Sequence, residues 1–354
     1  MHNYKDNFDN ALNYSTAKAT MVWWRIVIMG ILGTVYMGLA YVGYIKVAAQ
    51  FLTPESIALA ASAGAAKQIA FEPGGILLAS FMLPIGVVLI VFLGGSLFAS
   101  DSINMIAVFS QVIKVRTMFR KWLIVLIANV MGGFLIAFVM WWGNVFNARD
   151  IKVIAFIVEA KTETEWWMVI GNSFAANIIV AGMIWASLAT SNPVGKIAII
   201  MLPFGLFVLT GFNLVVSNAI VFAFAILSND RVAPWLTEPG EWIGRAIYIN
   251  FFPSALGNWL SGALFLPGLY YLLIKFKVKP GSRLLNLGIF KMAEEGTKIE
   301  SSEKTFFYTP FDATCKFNTE STFNPFRTAY RKIKRKMFPN KTEHNHASHK
   351  NHKH

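Results

Sequence analysis

The side chains with chemistry to offer are the polar ones that fall inside apolar runs. Ser96, Ser100 and Asp101 interrupt one run, and Asn213, Ser217 and Asn218 interrupt another. Asn129, Asn172, Ser173, Asn177 and Asn258 stand inside neighbouring runs. Apart from one acid these are amides and hydroxyls, which can support a helix end, tie helices together or hydrogen-bond a passing solute. They form no nucleophile–base pair and no metal cluster, because the histidines are His2 and five between His344 and His354. An enzyme is therefore not expected, nor a cofactor or metal. The one cysteine, Cys315, allows no intrachain disulfide.

The two interruptions share one pattern. Gly94-Gly-Ser-Leu-Phe-Ala-Ser-Asp101 aligns with Gly211-Phe-Asn-Leu-Val-Val-Ser-Asn218. Each is followed by a second shared stretch, Ala128-Asn-Val-Met-Gly-Gly133 and Gly257-Asn-Trp-Leu-Ser-Gly262. Two broken spans, each followed by an Asn/Gly-marked span, point to a duplicated membrane unit. Backbone that leaves the helix inside a bilayer exposes N–H and C=O groups at a cost of several kcal/mol each, unless protein or a wet cavity satisfies them. Paired breaks thus imply a pore or binding site between them. Ser100–Asp101 and Ser217–Asn218 are residue types suited to cap the restarted half-helices. Half-helix N-termini there would favour an anion or a polar solute. A kinked helix in an ordinary bundle is the plainer alternative.

The elements that must position these residues are legible in composition. Of the 354 residues 55% are hydrophobic and 14% charged, too apolar for an ordinary soluble domain. Six spans are expected, at 23–48, 74–114, 122–148, 166–189, 196–228 and 247–275. Residues 1–21 read as an interfacial amphipathic helix or a frayed terminus, with no cleavable signal. Residues 49–72, 149–165 and 229–246 read as loops of mixed charge, and 113–121 as a basic loop. Half of the Lys and Arg lie beyond Phe276, in a basic tail over 277–354 whose densest cluster is Arg331-Lys-Ile-Lys-Arg-Lys336. The net charge of +13 then reads as orientation and contact with anionic lipid, not nucleic acid. Placed this way, the charge puts both termini on the cytoplasmic side of the plasma membrane.

These residues resemble the formate/nitrite transporter family over about 20–275. The Leu97-Phe98 pair is similar to the family's Leu-Phe-Thr turn, and Ala176-Asn177 to its fourth-span Asn motif. Lys196 through Leu202-Pro203 to Gly211-Phe212 follows the family's fifth span. Asn250-Phe-Phe-Pro253 with Gly257-Asn258 matches its Asn-x-x-Pro-x-x-x-Gly-Asn signature. The resemblance implies an all-α, aquaporin-like fold of two inverted three-helix repeats, a homopentamer with one pore per protomer, and a small weak-acid solute such as formate, lactate, acetate or nitrite. It places Leu97, Phe98, Ala99, Asn213 and Leu214 at the pore, and Leu83, Val87 and Phe98 with Val180 and Phe207 around two apolar constrictions. Asn129, Asn177, Ser217, Asn218 and Asn258 become its polar supports, and Lys161 a basic vestibule residue. A loop lysine paired with Glu163 or Glu165, and Phe98 and Phe207 as core packing, remain the alternatives.

The departures carry physical weight. Leu214 stands where the family has a central histidine, Ala99 where it has a threonine, and Ser96 where it has an acid. A leucine cannot lend a proton. An anion drawn by Lys161 into a lower dielectric has its pKa raised and can cross as the neutral acid, taking a proton from water. An ionised Asp101 at the pore would repel anions, so it is expected protonated or turned away. A pore for a neutral solute such as hydrogen sulfide, ammonia or glycerol is the second reading. A non-conducting scaffold working through the tail is the third.

Overall fold

The computed structural model describes residues 4–275. The basic tail, its 331–336 cluster and its histidines lie outside the described residues, as does Cys315. What is described is helical, with one isolated antiparallel bridge between Leu52 and Phe71.

The chain opens on α1 (Tyr4–Ala19). Its buried residues Phe8, Ala11, Ser15 and Ala19 share one face by helical spacing. Burying Phe8 alone is worth about 1.5–3 kcal/mol. Asn7 and Asn10 donate to the carbonyls of Trp185 and Leu188, each at 3.1 Å. The segment is thus a docked helix and not a frayed end.

Helix α2 (Trp23–Gln50) has 28 residues, about 42 Å at 1.5 Å per residue, enough to cross a hydrocarbon core. Short helices α3 (Pro54–Ala58) and α4 (Gly75–Ser80) lead to α5 (Leu83–Leu93). After the first break come α6 (Phe98–Asp101) and α7 (Met105–Phe109). Helix α8 (Val115–Trp142) packs along α2. At their contact a Cβ on Gly132 would lie 2.7 Å from the Ile31 carbonyl oxygen. Gly132→Ala should therefore cost about 1–3 kcal/mol, read as a lower thermal midpoint in detergent.

The second half runs through α9 (Ala148–Thr162), α10 (Trp166–Ser187) and α11 (Pro193–Leu209). Beyond the second break lie α12 (Val215–Leu227) and α13 (Asn229–Val232). The chain bends by 88° after Leu227. The last helical segment strings α14 (Trp242–Arg245), α15 (Phe252–Trp259) and α16 (Leu266–Lys275) together through π-helical stretches at Ala246–Phe251 and Leu260–Phe265. Each stretch immediately precedes a proline turn, at Pro253 and Pro267. Proline removes the i→i−4 bond, and a wider turn takes up the freed carbonyl.

Two expectations fail here. Residues 149–165 are not a loop, because α9 fills most of the segment and buries Ile151, Val153, Ile154, Ile157 and Val158. Its start is a capping box. Asn147 accepts from Asp150 N at 3.1 Å, and Asp150 Oδ2 accepts from Asn147 N at 2.8 Å. Asp150 also meets Lys46 at 2.5 Å. The high charge count hid these buried apolar residues, because Asp150, Lys152 and Glu159 are buried with them. The basic loop at 113–121 is mostly the first turns of α8, with Lys114 at its N-cap. There Lys121 turns its ammonium back to the Met21 carbonyl.

Candidate functional site

Each break is entered through a left-handed glycine, Gly94 at φ 89° and Gly211 at φ 69°. That backbone conformation is cheap only without a Cβ. The chain then runs extended through Leu97 (φ −118°, ψ 138°) and Leu214 (φ −118°, ψ 120°) before helix resumes at Phe98 and Val215.

The restarted helices are capped from outside. Asn129, on α8, accepts from Phe98 N at 2.8 Å and donates to the carbonyls of Ser96 at 2.9 Å and Gly30 at 3.0 Å. Asn258, on α15, accepts from Val215 N at 2.9 Å and donates to the carbonyls of Asn213 at 3.2 Å and Ser173 at 2.8 Å. The two clamps are the same device, one per half. They satisfy backbone groups that a bilayer would otherwise leave bare. The expected caps do not form. Leu97 and Leu214 hold the N-cap positions with no side-chain bond. Ser100 Oγ instead bonds the Leu97 carbonyl at 3.0 Å, a turn inside the helix.

Asp101 finds a partner: Lys18 Nζ lies 2.7 Å from its Oδ1. The same ammonium donates to Ser96 Oγ at 3.2 Å and to the Gly95 carbonyl at 3.0 Å. Burial alone would lower the Lys18 pKa, but the carboxylate and Tyr14 overcome it and the pKa is raised.

Lys161 sits in the last turn of α9 and is partly exposed. Its Nζ donates to Asn213 Oδ1 at 2.9 Å. Asn218 Nδ2 and Asn250 Nδ2 converge on that oxygen at 3.0 and 3.2 Å. Asn218 Nδ2 also reaches Asn250 Oδ1 at 2.6 Å and Ser254 Oγ at 3.2 Å. The pairing of Lys161 with Glu163 or Glu165 does not occur. Glu163 meets Lys67 and Arg245 at 3.5 and 3.3 Å, and Glu159 meets Lys67 at 3.4 Å. Burial pushes the Lys161 ammonium down to about 8.

The remaining sequence-derived residues lie in the interior. Leu83 and Val87 on α5, Phe98 and Ala99 on α6, Val180 on α10 and Phe207 on α11 are all buried, as are Leu97 and Leu214. Asn177 donates to the carbonyls of Ala99 at 3.2 Å and Asn258 at 2.7 Å, and to Ser102 Oγ at 3.1 Å. It joins the first half-helix to the second half of the chain. Asn177 Oδ1, Ser217 Oγ and Asn218 Oδ1 are buried acceptors without a partner among the described residues.

Sequence reasoning missed Lys18, although a signal was present. Lys18 precedes Trp23-Trp24 as Lys161 precedes Trp166-Trp167, so the repeat begins one helix earlier than the spans.

Known proteins share the fold. The family model for the formate/nitrite transporter matches residues 5–272. The formate channel FocA of Haemophilus influenzae is 27% identical over 268 residues, covering 72% of this chain and 89% of that protein. The uncharacterized transporter YrhG of Bacillus subtilis is 27% identical over 253 residues, covering 70% and 84%. Among solved structures, a pentameric formate channel with formate bound aligns with a TM-score of 0.56 at 20% identity, over 72% of this chain and 98% of that chain. An FNT family ion channel aligns at 0.62 and 17% identity, over 76% and 99%. The likeness of fold and the match over nearly every described residue agree: the chain belongs to the formate/nitrite transporter family, multi-pass membrane proteins that carry solutes and are not enzymes.

Proposed function

We infer that the protein conducts small monocarboxylates or small inorganic anions (formate, lactate, acetate, nitrite) as the neutral acid or together with a proton. The observation that carries this reading is Lys161, whose ammonium touches Asn213 at the second break. A cation there draws an anion to the edge of an apolar passage, and the falling dielectric favours its protonation. The unpartnered buried acceptors beside the breaks suit a solute that arrives bearing an O–H. Leu83, Val87, Phe98, Val180, Phe207 and Leu214 form the greasy walls, which suit an uncharged acid better than a hydrated ion. Relatives that are formate channels, and a fold neighbour that is a pentameric one, support formate as solute and a homopentamer with one passage per protomer. The placement of basic residues supports cytoplasmic termini in the plasma membrane and a tail against anionic lipid.

Liposomes holding the purified protein test the reading. Uptake of formate, lactate, glycerol and hydrogen sulfide is compared while pH is raised above the carboxylic acid range. Formate flux should fall by about tenfold per pH unit where proton supply limits it, since the neutral acid falls in that ratio. A flat profile sinks proton-assisted passage. Glycerol or hydrogen sulfide flux without formate flux would instead favour a neutral-solute pore, the reading to which the buried Leu214 lends itself.

A further inference from the structure

The two halves carry equivalent lysines with unequal counter-charge. Lys18 and Lys161 lie on the short helices that precede each half, and they touch residues at matching places in the two breaks, Ser96 and Asn213. Their helices lie at opposite ends of α2. Beside α1, at the start of α2, Lys121 bonds the Met21 carbonyl; beside α9, towards its end, Lys46 meets Asp150. The lysines therefore guard opposite mouths. Lys18 is neutralised by Asp101 at 2.7 Å, a pair buried to 12% and 5% side-chain exposure. Lys161 meets the Asn213 amide instead, and the place of Asp101 is held in the second break by Asn218, so neither position brings it a carboxylate. The acids near it on α9 are spent on Lys67 and Arg245, and Glu165 is exposed at the head of α10.

We propose that Asn213, by denying Lys161 a counter-ion while Asp101 supplies one to Lys18, makes anion capture one-sided, so that carboxylate is held at the Lys161 mouth and not at the Lys18 mouth. The inference rests on the anion-conducting reading and adds a sidedness to it. A passive conductor at equal pH and zero voltage must give the same ratio of maximal rate to half-saturation in both directions. One-sided capture therefore appears as a lower half-saturation and a lower maximal rate together from the Lys161 face. Asn213 acts here as a specificity-determining residue through Lys161.

The test compares formate uptake into right-side-out and inverted membrane vesicles from the same expressing cells, at the same mildly acidic pH on both sides and with voltage clamped to zero. The two faces should differ in half-saturation by about fivefold, the order of one screened charge interaction. Asn213→Asp should remove most of the difference by raising the lower value. Asp101→Asn should remove it from the other end by lowering the higher one, and serves if Asn213→Asp does not fold. Equal half-saturations in the parent, or a difference that survives both substitutions, would overturn the inference while leaving conduction intact. No saturable formate flux from either face would remove the functional reading and the sidedness with it.

Discussion

Lys161→Gln should reduce formate flux about tenfold around pH 7, the size of one unit of pKa-scale interaction, and should make little difference well above pH 8. The ammonium carries its proton only below about 8, because burial holds it down. Above that value the native side chain is itself neutral, and an amide replaces it with little electrostatic change. The sign for stability runs the other way from the usual ion pair. A lysine with a lowered folded pKa destabilises the fold while charged, and the penalty is relieved as pH rises from about 8 towards the ordinary lysine range near 10.4. The glutamine variant should therefore be no less stable at neutral pH, which separates lost attraction from lost folding. Flux and thermal midpoint measured together from pH 6 to 9 check both halves. Equal flux for parent and variant below pH 8 would remove Lys161 from the solute path.

Asn258→Leu should unfold the protein, or bring it close. The substitution keeps the side chain's size and strips three bonds at once: those of Val215 N, the Asn213 carbonyl and the Ser173 carbonyl. Each buried group left without a partner costs about 1–3 kcal/mol, so the loss is roughly 3–9 kcal/mol against a typical total stability of about 5–15. Asn129→Leu strips the corresponding groups of Phe98, Ser96 and Gly30 and should do equal damage. Asn258→Asp keeps the acceptor for Val215 N, loses the two donations and should fall between. Thermal unfolding in detergent reads the series. A thermal midpoint for Asn258→Leu within about 2 °C of the parent would mean that the clamp contributes only about 1 kcal/mol or less.

The duplicated octapeptides were readable because a broken span needs the same parts wherever it occurs: a glycine to turn, a short extended run, a helix restart. Asn129 and Asn258 were readable as polar residues near the breaks. Their task was not, because the bond they make joins residues 31 and 43 positions apart in the chain. The local rule for caps pointed to Ser100 and Ser217, and the fold overrode it with side chains from neighbouring helices. Helix α9 was missed for a different reason. Its charged residues are interleaved with apolar ones, and Asp150, Lys152 and Glu159 are themselves buried, so neither charge count nor periodicity marks the segment as a packed helix. Lys18 was passed over because the repeat was sought among apolar runs, whereas it begins in a polar helix. The pairing of Lys161 with Glu163 failed because Lys67 and Arg245, distant in sequence, claim that carboxylate.

The wide turns of the last helix bear on how this chain tolerates length change. Asn250 lies inside the first π-helical stretch and Asn258 lies just before the second. Both must face the second break, where one steadies Asn213 and the other holds Val215. Deleting a single residue between them would turn one amide away from the other by about 100° about the helix axis. The apolar profile of the crossing would hardly register the loss. One-residue indels in this helix should accordingly be as damaging as losing an amide, while the outer connections absorb them, so that the spacing from Asn250 to Asn258 is as much a part of the passage as the side chains themselves.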